Sequence, residues 1–171
     1  MRRLEAHIRN IPDFPEPGIQ FKDITPLLKE PKILELSIEE LIYPFLNEKL
    51  TAIAGMEARG FIFGSLAAQK LGISFVPLRK PNKLPYKVES LSYDLEYGKS
   101  ALEIHVDALN KNDRVLLVDD LIATGGTAVA SCKLIEKLGA EIIGCAFVIE
   151  LDFLNGREKL SKYDIHSLIH Y

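Results

Sequence analysis

The chain has 171 residues, 47% hydrophobic and 26% charged, the make-up of one globular domain with a full core. A net charge of −3 gives no general attraction to nucleic acid or to an anionic membrane, though it leaves room for a local basic patch. No apolar run approaches the roughly eighteen residues that a membrane-spanning helix needs.

The opening stretch MRRLEAHIRN is charged and has no apolar run behind it, so the expected location is cytoplasmic. Residues 2–10 can form a short helix. IPDFPEPGIQFKD follows, and Pro12, Pro15, Pro17 and Gly18 argue against regular structure there. From Pro31 to about Lys49, Leu34, Ile38, Leu41, Ile42 and Phe45 keep helical spacing. Pro31 suits a first helical position, and Pro44 is expected to kink the helix or end it early.

A strand–helix–strand pattern then occurs twice. TAIAGM, GFIFGSLAAQKLG and ISFVPL form the first unit; RVLLVDD, GGTAVASCKLIEKLG and EIIGCAFVIE form the second. Each helix ends in Lys-Leu-Gly, with Gly72 or Gly139 where a left-handed cap is wanted. Continuous apolar strands alternating with helices predict an α/β fold, its parallel sheet covered on both faces. Between the units, KPNKLPYKVESLSYDLEYGKSALEIHV is first basic and proline-broken, then hairpin-like, with Leu102, Ile104 and Val106 alternating after a turn at Tyr97-Gly98. No linker divides the chain, so residues 1–171 are expected to form a single domain.

The two cysteines, Cys132 and Cys145, and the four histidines, His7, His105, His166 and His170, show no zinc-site spacing. GMEARGF has the glycine spacing of a P-loop, but Phe61 stands where its lysine belongs, and no GxGxxG follows a strand.

VLLVDDLIATGGT is the most informative segment. Asp119 and Asp120 stand at the carboxyl end of a strand, where open α/β sheets bind ligands. The loop Ala123–Thr127 leads into a helix whose free N–H groups and dipole favour a phosphate. Gly125 and Gly126 allow close backbone approach, while Thr124 and Thr127 add hydroxyl donors. Carboxylates repel a phosphate, so this pair must serve another part of the ligand. It can accept hydrogen bonds from adjacent hydroxyls, or act through a divalent cation. A ribose 5-phosphate offers an anion at one end and a vicinal diol at the other.

This segment resembles the phosphoribosyl-diphosphate signature of the type I phosphoribosyltransferases. FPEPGIQFKDITPLL, GMEARGFIFG, LRKPNKLP and LEYGKSALEIH extend the resemblance over nearly the whole chain, and are similar to the branch of that family acting on adenine. The resemblance implies a type I phosphoribosyltransferase fold: a central, mostly parallel sheet flanked by helices. It adds a base-binding hood over about residues 1–30 and a flexible lid over about residues 80–97. The implied reaction is Mg2+-dependent transfer of ribose 5-phosphate from phosphoribosyl diphosphate to adenine, giving AMP and diphosphate in purine salvage.

The residue roles follow from the same resemblance. Asp119 and Asp120 would hold the ribose, and Ala123, Thr124, Gly125, Gly126 and Thr127 the 5′-phosphate. Glu57, Ala58 and Arg59 match the family's diphosphate loop, with a non-proline cis peptide expected at Glu57–Ala58. Arg79, Lys80 and Lys83 would also meet the diphosphate, part of this cluster serving the neighbouring subunit of a homodimer. Apolar positions of the 33–46 helix would supply part of that interface. Arg59 would act in catalysis by neutralising the leaving group, and Glu96 as the proton carrier at the base. Gln20 and Lys22 would read the base edge through their backbones, Phe21 would stack on it, and Leu151 would close the sandwich. The family often has arginine at the position of Lys22; lysine lacks the planar fork. Mg2+ would be held mainly by the substrate's diphosphate and ribose, with no direct protein ligand. Two rivals share the ribose-phosphate site: a transferase for another base, and a regulator that senses phosphoribosyl diphosphate. FPEPGIQFKD and LEYG favour adenine. A regulator would add a DNA-binding element, for which no basic recognition helix is left over.

Overall fold

The computed structural model describes residues 2–94 and 99–171. The chain begins with one helical turn, α1 (Arg2–Glu5), followed by an antiparallel pair, β1 (Arg9–Pro12) and β2 (Gln20–Asp23). The expectation of irregular structure between residues 11 and 23 is thereby corrected, and the helix expected over 2–10 shrinks to its first turn. The prolines explain how both patterns coexist. Pro12 closes β1, and the Phe14–Pro15 peptide is cis in the connection. A two-stranded ribbon has no inner strand, so a missing N–H at its end interrupts little.

Two helices follow, α2 (Thr25–Lys29) and α3 (Pro31–Ile42), each with proline in its first turn. α3 ends at Ile42 rather than near Lys49, and Tyr43–Phe45 tightens into a 3-10 turn around Pro44. The chain continues through β3 (Ala52–Met56), α4 (Gly60–Leu71) and β4 (Ser74–Leu78). Next come the hairpin strands β5 (Val88–Asp94) and β6 (Lys99–His105), then β7 (Arg114–Ile122), α5 (Gly126–Lys137) and β8 (Glu141–Glu150). After two 3-10 turns, β9 (Asp164–His170) adds a strand that periodicity did not reveal. The expected turn at Tyr97–Gly98 lies outside the described residues.

The main sheet has five strands in the order β4-β3-β7-β8-β9, every neighbouring pair parallel. The middles of its inner strands are apolar because both faces are covered there, and charge appears only toward the strand ends. Ala52, Ala54, Met56, Val115 and Leu117 pack on the side of α5 and the β5–β6 hairpin. Ile53, Leu116 and Val118 pack on the side of α3 and α4. Both helix stops use glycine at positive φ, Gly72 at 67° and Gly139 at 90°. A backbone bridge from Arg79 to Glu103 joins the end of β4 to the hairpin. Because β3 and β7 are neighbours, their carboxyl ends open side by side, and the loops after them share one crevice. Among the described residues, no helix is long and apolar enough to cross a membrane.

Candidate active site

The crevice is a cavity of about 510 Å³. Its wall includes Glu57, Ala58, Arg59, Lys80, Asp119, Asp120 and the run from Ala123 to Thr127. The structure thus brings together, from three separate stretches, most of the residues singled out in the sequence.

β7 carries the acidic part. The Asp120 amide donates to Asp119 Oδ1 at 2.9 Å, fixing the first carboxylate against the backbone of the second. Burial pushes the Asp119 carboxyl well above the usual carboxylate range, and the neighbouring Asp120 charge adds to the rise. Burial also raises Asp120, opposed by the Arg59 guanidinium. Arg59 Nε lies 2.9 Å from Asp120 Oδ2, yet its N–H is not aimed at that oxygen. Among the described residues, Asp120 Oδ2 is buried without a hydrogen-bond donor, an unsatisfied acceptor in the wall of a ligand-sized cavity.

Close approach explains the glycine that begins α4. A side chain at Gly60 would meet Asp119 Oδ1 at 2.6 Å, so only glycine clears the carboxylate there. Just before it, the Glu57–Ala58 peptide is cis, as expected. The half-buried Glu57 carboxylate is held from the β4 side. It accepts from Arg79 Nη2 at 2.9 Å and from the Lys80 amide at 2.9 Å, and the bond from Arg79 holds it below the usual carboxylate range.

The part suited to an anion is the bend at Ala123–Gly125 and the start of α5. Gly125 has φ 77°, and no side chain caps the helix N-terminus. The first-turn N–H groups are therefore not capped by any side chain among the described residues, and the first residues of α5 line the cavity wall. This loop rests on a segment that sequence reasoning missed. A side chain at Gly125 would meet the Gly156 carbonyl oxygen at 2.5 Å, and one at Gly156 would overlap the Ala123 carbonyl. Asn155-Gly156 reads as a turn in the sequence, but nothing there says what the turn supports. Tyr93, Ser100 and Leu102 of the hairpin also line the cavity unforeseen, and the Tyr93 and Thr127 hydroxyls lie 3.2 Å apart.

Several expected residues stand apart from this cavity. Arg79 binds Glu57 and donates to the Lys83 carbonyl at 3.0 Å, and Lys83 is exposed. Neither lines the wall with Lys80. Gln20, Phe21 and Lys22 sit on β2, outside the wall, but Phe21 connects to it: the Arg59 guanidinium lies 5.2 Å from its ring centre. The Gln20 side chain accepts from Asn10, and the Lys22 ammonium lies over the Tyr171 ring. Leu151, just past β8, is anchored by its amide to the Ile122 carbonyl at the end of β7. Glu96 lies outside the described residues.

Among the described residues, Glu150, Asp152 and His170 are grouped closely enough to hold a metal ion. They lie outside the cavity, and Glu150 already accepts two hydrogen bonds from Arg157 and one from Ser167. That guanidinium opposes a second cation. The oxygen-rich end of the cavity, with the unsatisfied Asp120 Oδ2, is the better match to hard-cation chemistry.

A family model described as the phosphoribosyl transferase domain matches residues 26–169. The adenine phosphoribosyltransferase of Methylococcus capsulatus is 66% identical over 171 residues, the whole of both chains. The crystal structure of adenine phosphoribosyltransferase from Thermoanaerobacter pseudethanolicus matches with a TM-score of 0.96 at 52% identity, covering 99% of each chain. The Saccharomyces cerevisiae enzyme, crystallised with adenine and an imino-altritol bisphosphate, matches with a TM-score of 0.93 at 39% identity, over 98% of this chain and 97% of that one.

Proposed function

The chain belongs to the phosphoribosyl transferase domain family, and from that premise we propose that it is an adenine phosphoribosyltransferase. It transfers the ribose 5-phosphate of phosphoribosyl diphosphate to adenine, releasing AMP and diphosphate. Its fold is that of the type I phosphoribosyltransferases. The observation that carries the reading is the pairing, in one cavity, of an uncapped glycine loop with two adjacent carboxylates, Asp120 buried and Asp119 half-buried.

The residue roles are part of the proposal. The amides and hydroxyls from Ala123 to Thr127 receive the 5′-phosphate, with the α5 dipole behind them. Asp119 and Asp120 accept from the ribose hydroxyls, which supply the donor that Asp120 Oδ2 lacks. Arg59, together with Lys80 and the loop around Glu57 and Ala58, faces the diphosphate; as that group leaves, Arg59 neutralises its growing charge. Arg79 acts through Glu57, which it holds in place. In a homodimer, Lys83 and the outer part of the basic cluster face the neighbouring subunit. Phe21 and Leu151 sandwich the base, the backbones of Gln20 and Lys22 read its edge, and Glu96 exchanges the proton that adenine must lose. Residues 1–30 act as the hood and about 80–97 as the lid, on a single domain spanning 1–171.

Mg2+ fits the oxygen-rich end of the cavity. It is held mainly by the substrate's own diphosphate and ribose, beside Asp119 and Asp120. When bound, it offsets negative charge on the leaving group. The proposed setting is the cytoplasm.

A base panel tests this directly. The protein is mixed with phosphoribosyl diphosphate, Mg2+ and, in turn, adenine, hypoxanthine, guanine, xanthine, orotate or uracil, and diphosphate release is followed. Release with adenine alone is expected, and a chelator should abolish it. Release with another base would move the substrate assignment. Tight binding of the sugar phosphate with no release would replace the enzyme with a sensor.

A further inference from the structure

Tyr171 touches both walls proposed to hold the base. Its backbone brackets Leu151: the Tyr171 amide donates to the Glu150 carbonyl at 3.0 Å, and its carbonyl accepts from the Asp152 amide at 2.9 Å. The residues before and after Leu151 are thus both tied to one partner. The side chain of Tyr171 reaches the opposite wall, where its ring lies 3.6 Å beneath the Lys22 ammonium. Lys22 is next to Phe21 on β2, a strand that belongs to a two-stranded ribbon and not to the main sheet. Leu151 and Tyr171 pack, half-buried, against the same apolar cluster. Burial raises the Tyr171 phenol, with the nearby Glu5 charge adding to it, so at neutral pH the ring stays uncharged beside α1.

Resting on the base-site reading above, we propose that Tyr171 is a positioning residue for the base. By holding Leu151 through its backbone and Lys22 through its ring, it fixes the spacing between the two walls. The neighbouring ribose and phosphate groups are held by other elements, β7 and α5, and do not depend on it. The Lys22 side chain thereby gains a role. It faces Tyr171, where a cation–π contact needs only a point charge, so the planar fork of an arginine is not required.

Steady-state kinetics of four variants test the proposal, with the parent enzyme as reference. Lys22→Met keeps the aliphatic stem and removes the charge. Tyr171→Ala removes the ring, and Tyr171→Phe retains it. Lys22→Met and Tyr171→Ala should each raise the KM for adenine about five- to tenfold. The KM for phosphoribosyl diphosphate and kcat should stay within about twofold. Tyr171→Phe should behave like the parent, and Lys22→Met/Tyr171→Ala should be no worse than Tyr171→Ala. An unchanged adenine KM in Lys22→Met, or both KM values rising together, would overturn the proposal; the Lys22 variant gives that answer even if Tyr171→Ala does not fold. Failure of the parent itself to use adenine would instead remove the functional reading underneath.

Discussion

Asp119 carries an ionisable group into the half-buried wall of the cavity, and both burial and the adjacent carboxylate oppose its charge. Its pKa is higher in the folded than in the unfolded chain, so the native state takes up a proton at higher pH. The cost to stability is therefore present above the folded pKa and fades as pH falls through it toward the ordinary carboxylate range. Asp119→Asn should raise the neutral-pH Tm by about 2–4 °C, the shift expected from about 1 kcal/mol in a chain of this size. The gain should shrink as the pH approaches about 4, the ordinary carboxylate value, and melting curves across that range check it. A lower Tm at neutral pH would show that the charge is already compensated. Glu96 raises a different question, because its assignment rests on the resemblance to the family. Glu96→Gln should leave phosphoribosyl diphosphate binding nearly intact and slow turnover by about two to four orders of magnitude; unchanged turnover would remove Glu96 from the mechanism. The legibility of single residues varied for a physical reason. Asp119 and Asp120 stood out because charge ended an apolar run. The contacts of Arg59 with Asp120 and Phe21 join residues distant in sequence, and no local pattern encodes them.

Elements buried on both faces, or closed by glycine, were legible. β3, α4, β4, β7, α5 and β8 all fall where apolar runs and Lys-Leu-Gly stops place them. The misses share a different character. The β1–β2 ribbon is proline-flanked and half-exposed, so turn chemistry masked its pairing. β9 is an edge strand with a partly polar pattern. The support of the phosphate loop by Gly156 is a backbone crossing, and its only sequence trace is an Asn-Gly turn. It yields a sharp expectation. Gly156→Ala must push the Ala123 carbonyl aside and disturb the loop, raising the KM for phosphoribosyl diphosphate at least about tenfold while the adenine KM holds. Gly72→Ala is the control: it has positive φ but open space, so it should reduce stability and leave both KM values alone. Equal kinetic effects from the two variants would mean that the crossing does not position the loop.

For the whole molecule, a chain of net charge −3 must hold a strongly anionic substrate. On the proposed reading it does so by local arrangement. Helix and loop amides, Arg59 and Lys80 line one cavity at one end of the parallel sheet, and Asp119 and Asp120 share its wall. The alternation of strands and helices made the parallel sheet legible, but the order β4-β3-β7-β8-β9 was not, since periodicity does not say which strands are neighbours. Yet that order creates the site, by bringing the loops after β3 and β7 to one crevice. The central claim is that this crevice grips a phosphorylated ribose at both ends, through amides at the phosphate and carboxylates at the diol. The measurement that tests it most directly is calorimetric titration of phosphoribosyl diphosphate, with Mg2+, into the parent and into Asp119→Asn/Asp120→Asn. The double variant keeps the phosphate loop and loses the charged acceptors, so its affinity should fall at least about a hundredfold. Equal affinity would mean that the carboxylates do not hold the sugar.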